Sequence, residues 1–117
     1  MQSAKIARLT AEVLNDKKAE KIEVLKVDEL TIIADYFVIC TANSTTQVKA
    51  LTDAVLEKAG ESGIKPSRVE GQQSSLWVLL DFDSVIVHIF KSDVRDFYNL
   101  DRLWGDAKHE KYEFLNN

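Results

Sequence analysis

Few side chains in this sequence combine the types and the spacing that catalysis or metal binding requires. Asp81 and Asp83 have the Asp-x-Asp spacing with which nucleotide transferases hold magnesium on a strand, because alternate strand residues point to the same side. The pair falls, however, at a predicted hairpin turn, where aspartate is favoured for its short side-chain hydrogen bonds. A turn is the interpretation we favour, and we expect no metal or other cofactor.

The histidines and the cysteine give no stronger case for catalysis. Cys40 lies within an apolar run, which favours a buried, inert thiol over a nucleophile. His88 has no Ser, Cys or carboxylate beside it in sequence, and His109 next to Glu110 lies far from His88 in a charged tail. We therefore predict that the chain is not an enzyme and has no catalytic or metal-binding residues.

Composition limits the class of protein. A chain of 117 residues, 45% hydrophobic and with one Cys, predicts one domain without an internal disulfide, in a cytoplasmic setting. No stretch predicts a membrane span or a targeting signal. The net charge of −4, without a basic cluster, argues against direct nucleic-acid binding. An acidic surface complements a basic protein, although mild acidity also serves solubility alone.

The hydrophobic pattern predicts an α/β domain with a mixed sheet of about five strands and two main helices. Helices are expected from Ser3 to near Lys17 and over 45–60, the second after the capping-box sequence Ser44-Thr-Thr-Gln47. The run 36–40 carries no charge, which indicates a strand covered on both faces. The other extended segments are predicted at 23–27, 67–70, 76–80 and 85–90.

The last two strands form a hairpin whose two faces can be assigned. If Asp81 faces Ser84 across a tight turn, Trp77 faces His88. One face is then aliphatic and suited to packing under the helices: Val78, Leu80, Val85, Val87 and Ile89. The other face is Trp77, Leu79, Ile86, His88 and Phe90. Composition leaves two interpretations open for this second set: packing beneath the C-terminal segment, or an exposed interface with an aromatic anchor.

Two runs of the sequence resemble the signatures of the ribosomal silencing factor family, also called Iojap-related proteins. The first is the run from Asp35 to Ser44, DYFVICTANS, followed by Gln47-Val48. The second comprises Glu70-Gly71, WVLLD at 77–81, VIVHIF at 85–90, Arg95, FYNL at 97–100 and LWGDA at 103–107. The resemblance covers residues 1–107 as one domain and leaves 108–117 as a charged C-terminal tail.

The resemblance implies a fold related to nucleotidyltransferases without their catalytic equipment. It also implies binding to the large ribosomal subunit through its fourteenth protein, a basic protein at the intersubunit face. There the factor sterically blocks joining of the small subunit and represses translation when nutrients are short. Relatives in organelles assist late large-subunit assembly, and family members form homodimers when free.

Combined with strand alternation, the resemblance favours an interface over a core for the second face of the hairpin. Trp77 and Phe90 are the expected anchors, and Asp81 is expected to direct charge toward the basic partner. The remaining candidates fill between the anchors, lie on the same face, or extend or brace the patch: Leu79, Ile86, His88, Arg95, Tyr98, Leu100 and Trp104. Two alternatives stay open: a large-subunit assembly factor using the same contact, and a magnesium-dependent nucleotidyltransferase.

Overall fold

The sheet is built from strands that follow the predicted hydrophobic runs. The computed structural model describes residues 3–98 and 105–115, with the side chains of 96–98 left out. In chain order the elements are α1 (Ser3–Asp16), β1 (Glu20–Lys26), β2 (Tyr36–Ala42), α2 (Thr45–Glu61), β3 (Arg68–Glu70), β4 (Trp77–Asp81), β5 (Val85–Lys91), α3 (Ser92–Tyr98) and β6 (Lys108–Glu110). The α/β class and the mixed sheet are confirmed, with six strands in the described part of the chain where about five were expected.

The strands lie in the order β3-β4-β5-β2-β1-β6. Only the central pair, β2 with β5, is parallel; the other described pairs are antiparallel. All seven residues of β2 are buried, which confirms the strand covered on both faces that its uncharged run predicted.

Helices α1 and α2 pack side by side on one side of the sheet, which we call the first face. Their apolar stripes, including Leu14 and Leu51, meet the aliphatic set of the hairpin, so that assignment is confirmed. The hydroxyl of Ser44 accepts the N–H of Gln47 and caps α2, as predicted. The Gln47 side chain reaches back to the N–H of Asn43, one residue earlier than a capping box requires.

The hairpin register differs from the prediction by two residues. Trp77 pairs with Phe90, and Asp81 pairs with Ile86. The turn is responsible: Phe82 N–H bonds to the Val85 carbonyl, and Asp83 turns the chain in a left-handed conformation (φ 68°). A shift of two preserves side-chain alternation, so both faces keep their predicted members.

The opposite, second face has a smaller core. Leu25, Phe37, Ile39 and Phe90 form its buried centre, and Val94 of α3 packs against it. The segment interpreted as a charged tail begins with β6, which pairs with β1 through Val24, Leu25 and Lys26. Three residues near the end of the chain, Tyr112, Phe114 and Leu115, pack against the first-face core.

Candidate partner-binding surface

Trp77 lies half-buried at the start of β4, on the second face. Its ring stacks on Phe90 with centroids 4.8 Å apart and 29° between the planes. The indole N–H donates a hydrogen bond to Nδ1 of His88 at 3.1 Å. This side chain is partly exposed and its orientation is fixed, as expected of an anchor.

His88 is buried, with 6% of its surface exposed, among aromatic rings. The edge of its ring meets Phe37 at a centroid distance of 5.3 Å, and it stacks on Phe90 at 6.1 Å. Burial lowers the pKa of His88 to about 4, so the imidazole is neutral near pH 7. Because Nδ1 of His88 accepts the hydrogen bond from the indole N–H, the proton of the neutral imidazole is assigned to Nε2. This Nε2 has no hydrogen-bond partner in the described structure.

Phe90 and Ile86 belong to the core rather than to the surface. Phe90 is 0% exposed and Ile86 is 8% exposed, because both lie in the second-face core that α3 helps to cover. Phe90 is therefore placed not as the second anchor that was expected but as a buried ring that stacks against the indole of Trp77. Leu79, the next residue of β4 on the same face, is half-buried, and its exposed part can contact a partner.

Charged side chains border Trp77 and Leu79 on the neighbouring strand. Glu70 of β3 pairs with Leu79 and Arg68 pairs with Asp81, so both lie on the second face. We call the set Arg68, Glu70, Trp77, Leu79 and Asp81 the β3–β4 surface. It consists of an apolar strip beside carboxylates at an edge of the sheet.

The carboxylate of Asp81 is less open than its predicted role requires. Its Oδ1 accepts the N–H of Asp83 at 2.8 Å, and its Oδ2 lies 3.5 Å from Arg68. Its side chain is only 19% exposed, whereas that of Glu70 is 56% exposed. Glu70 is thus the more exposed carboxylate beside the apolar strip, although its Oε2 pairs with Arg68 Nε at 3.0 Å, and it was not among the predicted site residues.

Asp81 and Asp83 are used in the turn. Asp83 accepts a hydrogen bond from the Ser67 hydroxyl at 3.0 Å, and its left-handed backbone interrupts the alternation that would have aligned the two carboxylates. Among the described residues, no group of three or more His, Cys, Asp or Glu side chains is placed to hold a metal ion.

Arg95 braces the fold from inside. It is 6% exposed, and its guanidinium donates to the Lys21 carbonyl, to the Thr41 hydroxyl at 2.9 Å and to Glu23 at 3.0 Å. These bonds tie α3 to β1 and β2. Of the two roles expected for Arg95, extending the patch or bracing it, the position corresponds to bracing.

Three predicted site residues lie outside the described residues: Leu100, Trp104 and the side chain of Tyr98. Cys40 is 0% exposed, and burial raises the pKa of its thiol to about 12, as suits an inert side chain. No described helix has the length and apolar character needed to cross a membrane.

Gly71 positions the start of β4, a role that sequence analysis did not give it. Its φ is +87°, and a Cβ added there would collide with the Trp77 carbonyl oxygen. Glycine is therefore required where this loop passes the backbone of Trp77. The sequence indicates this role only through the position of Gly71 as the first residue of the polar loop before β4.

The comparison with protein families decides the affiliation of the chain. Residues 1–117 match the family model described as "Ribosomal silencing factor during starvation". The chain belongs to the ribosomal silencing factor family. It is 40% identical over 117 residues to the ribosomal silencing factor RsfS of Bacillus subtilis, covering 100% of this chain and 99% of that one.

A plant relative and two solved structures are also similar to the chain. Over 104 residues the chain is 35% identical to the chloroplastic protein Iojap of Arabidopsis thaliana, covering 89% of this chain and 43% of that protein. A crystal structure of a Chromobacterium violaceum protein superposes with a TM-score of 0.87 at 35% identity, covering 100% of this chain and 95% of the other. A Bacillus halodurans structure gives 0.83 at 34% identity, covering 94% and 100%. The family resemblance stated from the sequence is confirmed.

Proposed function

We propose that this protein binds the large ribosomal subunit through its fourteenth protein and sterically blocks joining of the small subunit. Translation is thereby repressed when nutrients are limited. Membership of the ribosomal silencing factor family supports the ribosomal part of this proposal. We further propose that the protein acts in the cytoplasm as a regulator rather than an enzyme, has little direct contact with nucleic acid and is a homodimer when free.

The observation that carries the proposal is the β3–β4 surface. Trp77 and Leu79 give it an apolar centre in which the indole orientation is fixed by Phe90 and His88. A rigid, half-exposed indole loses little conformational freedom on binding, which is a property of interface hot spots. Glu70 and Asp81 lie beside this centre, both paired with Arg68, and the two carboxylates together outnumber this one cation, which is complementary to a basic ribosomal protein.

Truncation of Trp77 tests the proposal. Trp77→Ala removes the proposed anchor and is expected to weaken binding to isolated large subunits by about 2 kcal/mol, or about 30-fold in Kd. Binding is measured by co-sedimentation over a range of subunit concentrations. Circular dichroism and the thermal midpoint of the variant establish that it is folded.

Tyr112→Ala is the matched control, because it truncates another half-buried aromatic side chain that packs with the first-face core. It is expected to bind large subunits as the wild type does. Equal binding by wild type and Trp77→Ala, with both folded, would contradict the proposed surface. Loss of binding by both variants would mean that folding, not the anchor, controls affinity.

The two alternative functions have different signatures. A large-subunit assembly factor would use the same contact but would leave subunit joining intact. A magnesium-dependent nucleotidyltransferase would show a thermal shift with ATP and magnesium that disappears in Asp81→Asn. The engagement of Asp81 and Asp83 in the turn favours a regulatory function over the nucleotidyltransferase. Sedimentation velocity of the free protein tests the homodimer.

A further inference from the structure

The loop between β1 and β2 exposes apolar side chains that the fold does not use. Ile32 is 103% exposed, Ile33 is 60% exposed and Leu30 is 45% exposed. Among the described residues, one other large hydrophobic side chain is similarly exposed: Leu76, beside Trp77, at 43%. Because monomeric proteins rarely gather exposed aliphatic groups, such a cluster marks an interaction site more often than isolated exposure does.

The loop has a defined conformation that presents these side chains outward. Its ends are fixed by Val27 and Ala34, which are buried in the second-face core, and by the bond from Val27 N–H to the Asp35 carbonyl at 2.8 Å. Within the loop, the N–H groups of Leu30 and Thr31 both bond to the Val27 carbonyl. A fixed display of apolar groups lowers the entropy cost of binding.

The loop is continuous with the β3–β4 surface. The N–H of Asp35 bonds to the Ser84 carbonyl at 2.7 Å, which joins the loop to the turn that follows Asp81. Val27 and Ala34 also lie in the core cluster against which Trp77 and Leu79 pack. Asp81 is at the same end of the sheet as the loop, with β5 and β2 between them, and Trp77 lies about 13 Å farther along β4 toward the opposite end.

The charge beside the loop indicates the chemistry of its partner. Asp28, Glu29 and Asp106 line a hollow beside Leu30 together with Lys26 and Lys108, and Asp35 lies at the other end of the loop, so acidic side chains outnumber basic ones here by two. Aliphatic side chains flanked by carboxylates are complementary to an apolar depression bordered by Lys or Arg. A basic protein presents this chemistry, and it is the same class of partner that the β3–β4 surface fits.

We propose that the β1–β2 loop is a second contact region for the same basic partner, in which Ile32 inserts into an apolar depression and Asp28 and Glu29 meet basic side chains. This inference rests on the proposed function. It extends the interface from the edge of the sheet across the turn after β4, and it assigns the exposed aliphatic groups to the partner rather than to a second copy of the chain.

The experiment is a titration of isolated large ribosomal subunits with wild type, Ile32→Ser, Trp77→Ala and the double variant. Ile32→Ser is expected to weaken binding about tenfold, equivalent to about 1.4 kcal/mol, without changing the thermal midpoint, because Ile32 makes no core contact. The affinity of the double variant is expected to fall by the product of the fold-losses of the two single variants, since the two side chains do not touch. Glu57→Ser, an exposed change on α2, is the control.

The outcomes separate this inference from the proposed function. If Trp77→Ala loses affinity and Ile32→Ser binds as the wild type does, the loop is not a contact and only this inference fails. If Ile32→Ser instead alters the sedimentation coefficient of the free protein with unchanged subunit affinity, the loop joins two copies and the inference is overturned. If the wild type does not bind large subunits, both the proposed function and this inference fail.

Discussion

Trp77 is held by two neighbours with different roles. Phe90, fully buried, supplies a flat apolar support, and His88 accepts the indole proton and sets the rotation of the ring. Strand alternation was sufficient to place all three residues on one face. It was insufficient to separate the partly exposed Trp77 from the buried Phe90, because that difference depends on which part of the face is covered by α3 and the second-face core.

The buried imidazole predicts a specific pH dependence of stability. The pKa of His88 is about 4 in the folded protein and 6.5 ordinarily, so between these values the unfolded chain binds a proton that the folded chain does not. Stability should therefore fall as pH decreases from 7, by roughly 3 kcal/mol on reaching pH 4.

Urea unfolding of the wild type and of His88→Asn at pH 7 and pH 4.5 checks this result. The asparagine offers an acceptor to the indole but does not titrate, so the difference between the two proteins isolates the histidine from all carboxylates. Most of the loss should already be present at pH 4.5 in the wild type and absent from the variant. Parallel pH dependence in both proteins would show that His88 is already protonated or is not buried.

At the scale of secondary-structure elements, the β4–β5 hairpin determines where the anchor is presented. Periodicity predicted its two strands and their faces, but the register was wrong by two residues. The reason is local: the Asp81 carboxylate and the left-handed Asp83 form a turn centred one residue later than expected. The short α3 and β6 were harder to predict, because each depends on packing against the finished sheet.

Gly71 provides a prediction for the start of this hairpin. Gly71→Ala should cost about 3 kcal/mol, because it adds a collision with the Trp77 carbonyl to the strain of a positive φ. Gly63→Ala is the matched control: Gly63 also has a positive φ, +75°, but an added Cβ would have nothing within 4 Å, so about 1 kcal/mol is expected.

Chemical unfolding measures the stability of both glycine variants, and titration with large subunits measures their affinity. Gly71→Ala should also weaken subunit binding, since β4 must shift away from the loop, whereas Gly63→Ala should bind normally. Equal costs in the two variants would show that the approach of Gly71 to Trp77 does not constrain the folded state.

At the scale of the whole molecule, the two ends of the described chain are joined on the first face. The rings of Tyr112 and Phe114 stack with centroids 5.2 Å apart, and the Arg8 guanidinium of α1 lies 5.3 Å and 5.5 Å from them. Arg8 also pairs with Glu113 at 2.8 Å. The sequence indicated only a charged tail here, because the aromatic pair finds its partners through long-range packing.

This contact should be stabilised mainly by its apolar part. Phe114→Ala is expected to lower the free energy of unfolding by about 1–2 kcal/mol through lost burial. Glu113→Gln should leave it almost unchanged, because Glu113 is 80% exposed and solvent screens the ion pair. Urea unfolding of both variants provides the comparison, and a larger effect of Glu113→Gln would contradict it.

Subunit joining is the step that the proposed mechanism blocks, and it can be measured with purified components. Purified large subunits are incubated with the protein, small subunits are added, and the fraction of whole ribosomes is measured by sucrose-gradient sedimentation. We expect the wild type to lower that fraction in a dose-dependent manner and Trp77→Ala to require about 30-fold more protein for the same effect. Undiminished joining with the wild type bound to every large subunit would contradict this mechanism.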